Sequence, residues 1–288
     1  MCPGGLGVGH GAAILDQMAS TSDRAPDVKA LLAPLRDDPA SSAIFCDIDG
    51  TLAPIVERAL DARVPGQTAE VLGRLAKRYA LVGCLSGRPA AQARQLVGRD
   101  ELVYVGNHGF ERMMPGAGEP EPDPALRGHE ESVAAFIAGH VDLAELEHAG
   151  LRLEDKGPIK ALHWRGAADE SAAEARARSL ATEAIGCNLV PHWGRKVLEI
   201  RPAVELNKGT ALAELLEQRL IAAALYGGDD LTDVDAFRKL RGMVAAGDLD
   251  SAACVGIGSE EGPPEVRAEA DVVVDGPAGF VAVLRLLE

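Results

Sequence analysis

At 288 residues the chain is long enough for about two domains and a large buried core. Hydrophobic residues make up 47% and charged residues 25%, ordinary proportions for a soluble globular protein, and every apolar run is interrupted well short of the roughly 18 residues a membrane span needs. Lys and Arg number 29 against 44 Asp and Glu, a net charge of −15, so the surface should repel nucleic acid and anionic membranes, and an anionic substrate requires a local basic pocket.

Residues 1–28 carry Gly4, Gly5, Gly7, Gly9 and Gly11, with no basic residue before Arg24 and no continuous apolar segment, which argues against a signal peptide. A flexible tail is expected there, with Met18 as an alternative start. The run 43–46 then ends in Asp47-Ile48-Asp49-Gly50-Thr51-Leu52, which reads as a buried parallel strand opening at its C-terminal edge, where open α/β sheets bind ligands. Asp47 and Asp49 would face one side if the strand continued, and like charges so placed need a cation or a proton. A helix is predicted over 67–79, a strand over 81–85 leading into Ser86-Gly87-Arg88-Pro89, a helix over 89–97 and a strand over 102–105. Ser86 reads equally as a phosphate ligand at a helix start and as a plain helix cap.

The middle of the chain departs from this rhythm. Residues 114–123 are rich in Pro, Gly and Glu; a helix-like stretch at 132–147, an extended segment at 151–164, an Ala-rich helix at 169–185 and a strand at 196–200 follow. Strand-like runs return at 223–226, 243–246, 254–257 and 272–274. The pattern predicts an α/β protein: a Rossmann-like, doubly wound parallel sheet core at 29–110 and 203–288, with a smaller α/β cap domain inserted at 111–202. The five cysteines, Cys2, Cys46, Cys84, Cys187 and Cys254, are widely spaced, and three lie in apolar runs. That is the pattern of reduced thiols and a cytoplasmic setting.

Gly227-Gly228-Asp229-Asp230-Leu231-Thr232-Asp233 follows the run at 223–226 and sets three carboxylates in one loop, an oxygen-rich arrangement suited to Mg²⁺. Asp233 reads alternatively as a helix cap. Lys208, in Asn207-Lys208-Gly209-Thr210, opens a helix and could neutralise aspartates and a phosphate together. A nucleophilic carboxylate, a second carboxylate two residues on, a hydroxyl, a lysine and an acidic loop are what phosphoryl transfer asks for, since its catalysis is mostly positioning and charge neutralisation.

Asp-x-Asp-Gly-Thr, Ser-Gly-Arg, Lys-Gly and Gly-Asp-Asp-x-x-Asp, in this order from Asp47 to Asp233, resemble the haloacid dehalogenase superfamily of phosphatases. The resemblance implies that Asp47 is the nucleophile and Asp49 the general acid/base. It further implies that Thr51, Ser86, Gly87, Arg88 and Lys208 meet the phosphate. Mg²⁺ would be held by Asp47, Asp229 and Asp49, the last through its backbone carbonyl, with Asp230 and Asp233 behind them. The segments Ser86-Gly87-Arg88-Pro89, Gly106-Asn107-His108-Gly109, Glu154-Asp155-Lys156-Gly157, His163-Trp164-Arg165 and Gly194 through Pro202 are similar to those of trehalose-6-phosphate phosphatases. Asn107 stands where that family usually has a small residue, and Trp164 where it usually has Tyr.

The implied activity is hydrolysis of trehalose 6-phosphate through an aspartyl-phosphate. Glu154, Lys156, His163, Arg165, Arg195, Lys196 and Glu199 are the expected readers of the sugar hydroxyls, because a disaccharide offers little apolar surface and must be read by donors and acceptors. Each of these also reads as an ordinary charge on an exposed strand face. Alternatives of the same chemistry are a phosphatase for sucrose phosphate or a glucosyl-glycerate phosphate, or a phosphomutase; a sensor that has lost catalysis is the non-enzymatic one. The expected partner is a small sugar phosphate, with no nucleic acid and no membrane, and a monomer is the default.

Overall fold

The computed structural model describes residues 27–56, 61–129, 131–259 and 262–288. The expected flexible tail, Met18 included, lies outside the described residues up to residue 26, and the chain is already helical from Val28.

The core elements before the insertion are α1 (Val28–Leu31), α2 (Ala33–Asp37), β1 (Ser42–Cys46), α3 (Gly66–Ala76), β2 (Leu81–Leu85), α4 (Ala90–Val97), β3 (Val103–Gly106), β4 (Glu111–Met113) and β5 (Glu121–Pro122). Next come α5 (Ser132–His140), α6 (Leu143–His148), β6 (Arg152–Lys156), β7 (Ile159–His163), α7 (Glu170–Gly186), β8 (Leu189–Gly194) and β9 (Val197–Pro202). The chain closes with α8 (Lys208–Glu217), β10 (Ala223–Gly228), α9 (Leu231–Ala246), β11 (Ser251–Gly258), α10 (Pro264–Glu269), β12 (Val272–Asp275) and α11 (Gly276–Arg285).

The large sheet runs β12-β11-β10-β1-β2-β3-β4-β5, parallel from β12 to β3 and antiparallel at β4 and β5. Alternate residues of each strand feed two cores, as period-two side-chain geometry requires. Ile44, Cys46, Val82, Cys84, Leu225 and Val255 pack with α3, α4 and α11, while Phe45, Leu85, Val105, Tyr226 and Cys254 pack with α8 and α9. Helices therefore cover both faces, which is why the central strands are apolar throughout rather than alternating. After β1 the chain builds outward through β2 and β3, and its second half builds the other way through β10, β11 and β12. The carboxyl ends of β1 and β10 thus flank the switch point where such sheets bind ligands.

A separate antiparallel sheet, β6-β7-β9-β8, lies within the inserted segment. One face carries Leu162, Leu198 and Ile200 into a core shared with Phe136 of α5 and Ala177, Leu180 and Ala184 of α7. Registered neighbours place Glu154, Ala161, Glu199 and His192 together on the opposite, polar face.

Three expectations need correction. Residues 243–246 are not a strand but the last turn of α9, because Val234, Phe237, Leu240 and Met243 continue one buried helical stripe that ends at left-handed Gly247, with φ 82°. The helix-like stretch at 132–147 is two helices, broken where Val141 is extended and Asp142 caps α6. The large sheet also runs past the expected boundary at 111, since β4 pairs onto β3 and β5 onto β4, extending its edge.

Candidate active site

Asp47 directly follows β1, and its N–H donates to Gly227 O at 2.9 Å, so the ladder with β10 fixes the backbone under this carboxylate. The chain then folds sharply: Gly50 N–H donates to Ala53 O at 2.7 Å, with Gly50 left-handed at φ 89°. A Cβ at Gly50 would sit 2.1 Å from Asp229 Oδ2, so only glycine lets this turn close over the acidic loop.

Lys208, the first residue of α8, is buried and bridges two carboxylates, donating to Asp47 Oδ1 at 2.8 Å and to Asp233 Oδ1 at 2.7 Å. Burial alone would strip its proton, but Asp233 and Asp47 outweigh it and hold the ammonium well above its ordinary pKa. Asp233 is the hub. Its Oδ1 also accepts from Tyr226 Oη at 2.7 Å, and its Oδ2 accepts from the N–H groups of Asp229 and Asp230 at 2.9 and 3.0 Å. Asp233 is thus far more than a helix cap; Asp230 fills that place, accepting from the N–H groups of Thr232 and Asp233.

Carboxylate oxygens of Asp47, Asp229 and Asp233 lie within 4.8 Å of one another, all three residues buried. Asp233 has four hydrogen bonds to its two oxygens, whereas Asp47 has one bonded oxygen and Asp229 takes one bond, from Thr51 Oγ1 at 3.1 Å. Burial first, then Asp233 and Asp230, pushes Asp229 up to about 7, and burial pushes Asp47 well up despite Lys208. Two buried carboxylates with spare lone pairs and a shortage of positive charge are a donor set that fits a hard divalent cation.

Ser86, Gly87 and Arg88, the other expected phosphate ligands, directly follow β2, the parallel neighbour of β1. Buried Ser86 accepts from Arg88 N–H through Oγ at 3.2 Å, and its carbonyl accepts from His108 N–H at 2.9 Å. Gly87 faces His108 so closely that a Cβ would lie 2.5 Å from its Nε2. Arg88 forks the Asp49 carboxylate, Nε to Oδ2 at 2.6 Å and Nη2 to Oδ1 at 2.7 Å.

The polar face of the small sheet meets this turn. Lys156 Nζ donates to Gly87 O at 3.1 Å and to Glu199 Oε1 at 2.8 Å, and Asn107 Nδ2 donates to Lys156 O at 3.2 Å. Arg201 donates to Glu199 Oε2 at 2.6 Å. Burial raises the Glu199 pKa, but Lys156 and the cations around it win and bring it down to about 2. The Glu154 carboxylate accepts from His163 Nε2 at 2.7 Å, and that bond holds Glu154 below its usual pKa. Arg165 and Lys196 take their partners elsewhere: Arg165 donates to Arg195 O at 3.3 Å, and Lys196 pairs with Glu170 of α7 at 2.6 Å. The structure thus gathers Glu154, Lys156, His163 and Glu199 on the face toward the core, and leaves Arg165, Arg195 and Lys196 with contacts inside the small domain.

Sequence reasoning missed Tyr226 and Arg201, and it named the Asn107–His108 segment by resemblance without giving either residue a role. Arg201 was within reach, since it lies two residues beyond Glu199 and shares its strand face. Tyr226, inside an apolar run, gave no signal. Asn107 and His108 both have positive φ, 52° and 59°, and burial lowers His108 to about 3, so this imidazole is neutral beside Glu199.

A doubly wound sheet with Asp47, Lys208 and the acidic loop at its switch point defines a phosphoryl-transfer type of site. The trehalose-phosphatase family profile matches residues 45–262, and the chain belongs to that family. It is 38% identical over 208 residues to the trehalose-phosphate phosphatase of Mycobacterium avium, covering 69% of this chain and 51% of that protein. It is 33% identical over 217 residues to Trehalose 6-phosphate phosphatase RA3 of Zea mays, covering 69% and 59%. The chain therefore spans only about half the length of these relatives. The C-terminal domain of the trehalose-6-phosphate phosphatase of C. albicans shares the fold, with a TM-score of 0.68, 21% identity, and coverage of 91% of this chain and 97% of that one.

Proposed function

We propose that this chain is a Mg²⁺-dependent phosphatase that hydrolyses trehalose 6-phosphate to trehalose and phosphate. The observation that carries the reading is the buried Asp47–Lys208–Asp233 bridge with Asp229 beside it. Lys208 draws charge from Asp47 and so lowers the repulsion an approaching phosphate would meet. In the first half, an Asp47 oxygen bonds to phosphorus, the bond from phosphorus to the sugar oxygen breaks, and Asp49 gives that oxygen a proton. In the second half, water bonds to phosphorus and passes a proton to Asp49, and the bond to Asp47 breaks, releasing phosphate. Asp47, Asp229 and the Asp49 carbonyl would hold Mg²⁺, which supplies charge neutralisation and orientation of the phosphate when bound. Thr51, Ser86 and Gly87 line the phosphate's place, with Asp230 and Asp233 fixing the loop behind it.

Glu154, Lys156, His163 and Glu199 are the sugar-reading set, and family membership of the chain supports trehalose as the sugar. Arg165, Arg195 and Lys196 would join only by leaving their present contacts. Buried Cys46, Cys84 and Cys254, packed as small hydrophobes, support a cytoplasmic setting. No helix among the described residues is long and apolar enough to cross a membrane.

The test is phosphate release from trehalose 6-phosphate against a panel of other sugar phosphates, with and without EDTA. Trehalose 6-phosphate should lead in kcat/KM, chelation should abolish release, and Asp47→Asn should lower kcat by at least about 10³-fold in a folded protein. Equal rates across the panel would refute the substrate, and an active Asp47→Asn enzyme would refute the mechanism.

A further inference from the structure

Two carboxylates two residues apart have been given separate cations. Asp47 is held by Lys208 from the sheet side, while Asp49 is held by Arg88, whose fork takes both of its oxygens. Each bond of the fork uses one lone pair and leaves the other free for water. Arg88 is only 14% exposed, whereas Asp49 is 35% exposed and open to solvent. The fork's base is rigid: Arg88 N–H donates to Ser86 Oγ at 3.2 Å, and Arg88 O accepts from Asn107 N–H at 2.9 Å. Asp49 is tied from its own side as well, by the bridge it makes with Ala53 across the Gly50 turn. A guanidinium spent in this way on a carboxylate is badly placed to serve as the phosphate ligand the sequence suggested.

We propose that Arg88 is a positioning residue for Asp49, holding its carboxylate where it takes a proton from the attacking water in the second half of the reaction. The inference rests on the aspartyl-phosphate reading above. In that step the oxygen of water bonds to phosphorus, the bond to Asp47 breaks, and the proton leaves the water for Asp49. Arg88 acts through Asp49 and touches neither the water nor the phosphate.

p-Nitrophenyl phosphate separates the two halves, because nitrophenolate leaves without a proton and only the second half then calls on Asp49. The experiment is rapid mixing of this ester with the full chain in excess Mg²⁺, comparing the native protein with Arg88→Met and Arg88→Lys. In both variants a burst of about one nitrophenolate per chain should form at the native rate, followed by a steady state slowed at least about tenfold, with Lys the milder because it keeps the charge although it cannot fork. The burst is itself proof that a variant is folded; should Arg88→Met not fold, Arg88→Lys decides. A slowed burst with a raised KM would mean that Arg88 binds the phosphate, and an unchanged steady state would mean that it does nothing for Asp49; either overturns the proposal. Asp47→Asn serves as the separate control. A burst surviving in it would sink the nucleophile assignment, while a silent Asp47→Asn beside unaffected Arg88 variants would sink only the role given to Arg88.

Discussion

Asp229 sits in the folded chain with its pKa raised to about 7 by burial and by Asp233 and Asp230. The sign follows directly. Without metal, the folded state binds this proton more tightly than the unfolded state does, so the group disfavours folding increasingly as pH rises from its ordinary value of 3.8 toward about 7. A divalent cation must displace that proton, so the rise in Tm on adding Mg²⁺ should be larger at pH 8 than at pH 6. Equal rises would show that Asp229 is not a ligand. How far such residues were legible depends on where they fall. Asp47 and Asp229 each end an apolar strand and Lys208 opens a helix, so their places at a sheet edge could be read in the sequence. Tyr226 lies within a strand's apolar run, and Arg88's partner is set by how the β2 turn lies against the β1 turn, which no local pattern encodes.

Among the elements, the parallel strands were readable because both of their faces are buried, while α9 shows where such reading fails. Met243-Val244-Ala245-Ala246 is apolar in a row, which a short window cannot tell from a buried strand. The stripe from Val234 to Met243 settles the matter over a longer span. The two assignments differ experimentally, since a strand would put Met243 and Ala245 on one face and the helix buries only Met243. Met243→Asp should destabilise the protein by about 3 kcal/mol or more and Ala245→Asp by less than about 1 kcal/mol in urea unfolding. Similar losses at both sites would contradict the helix. β8 was missed for a different reason: Pro191, His192, Trp193 and Gly194 give no alternation of polar and apolar residues, and its pairing with β9 defines it.

Across the whole molecule, the small sheet and the core meet at a charged seam in which Glu199 draws on Lys156 and Arg201, and Lys156 reaches Gly87. With its pKa brought down to about 2 from 4.5, Glu199 stabilises the folded chain fully above the unfolded value, and that contribution fades as pH falls toward 2. Native protein should therefore lose more unfolding free energy between pH 5 and pH 2 than Glu199→Gln; parallel acid profiles would remove Glu199 from the seam. The fold class was legible because βαβ rhythm runs through both ends of the chain, but the seam was not, since it joins residues of both sheets. The order of the strands along the chain has a consequence for synthesis. Lys208 comes 161 residues after Asp47, and β10, the strand that flanks β1, follows later still. A ribosome therefore releases β1, β2, β3 and the entire small domain while one edge of β1 still lacks its neighbour. Truncated nascent chains would be sticky, and Asp47 would meet its ammonium in the observed bridge only once Lys208 and Asp233 had both emerged.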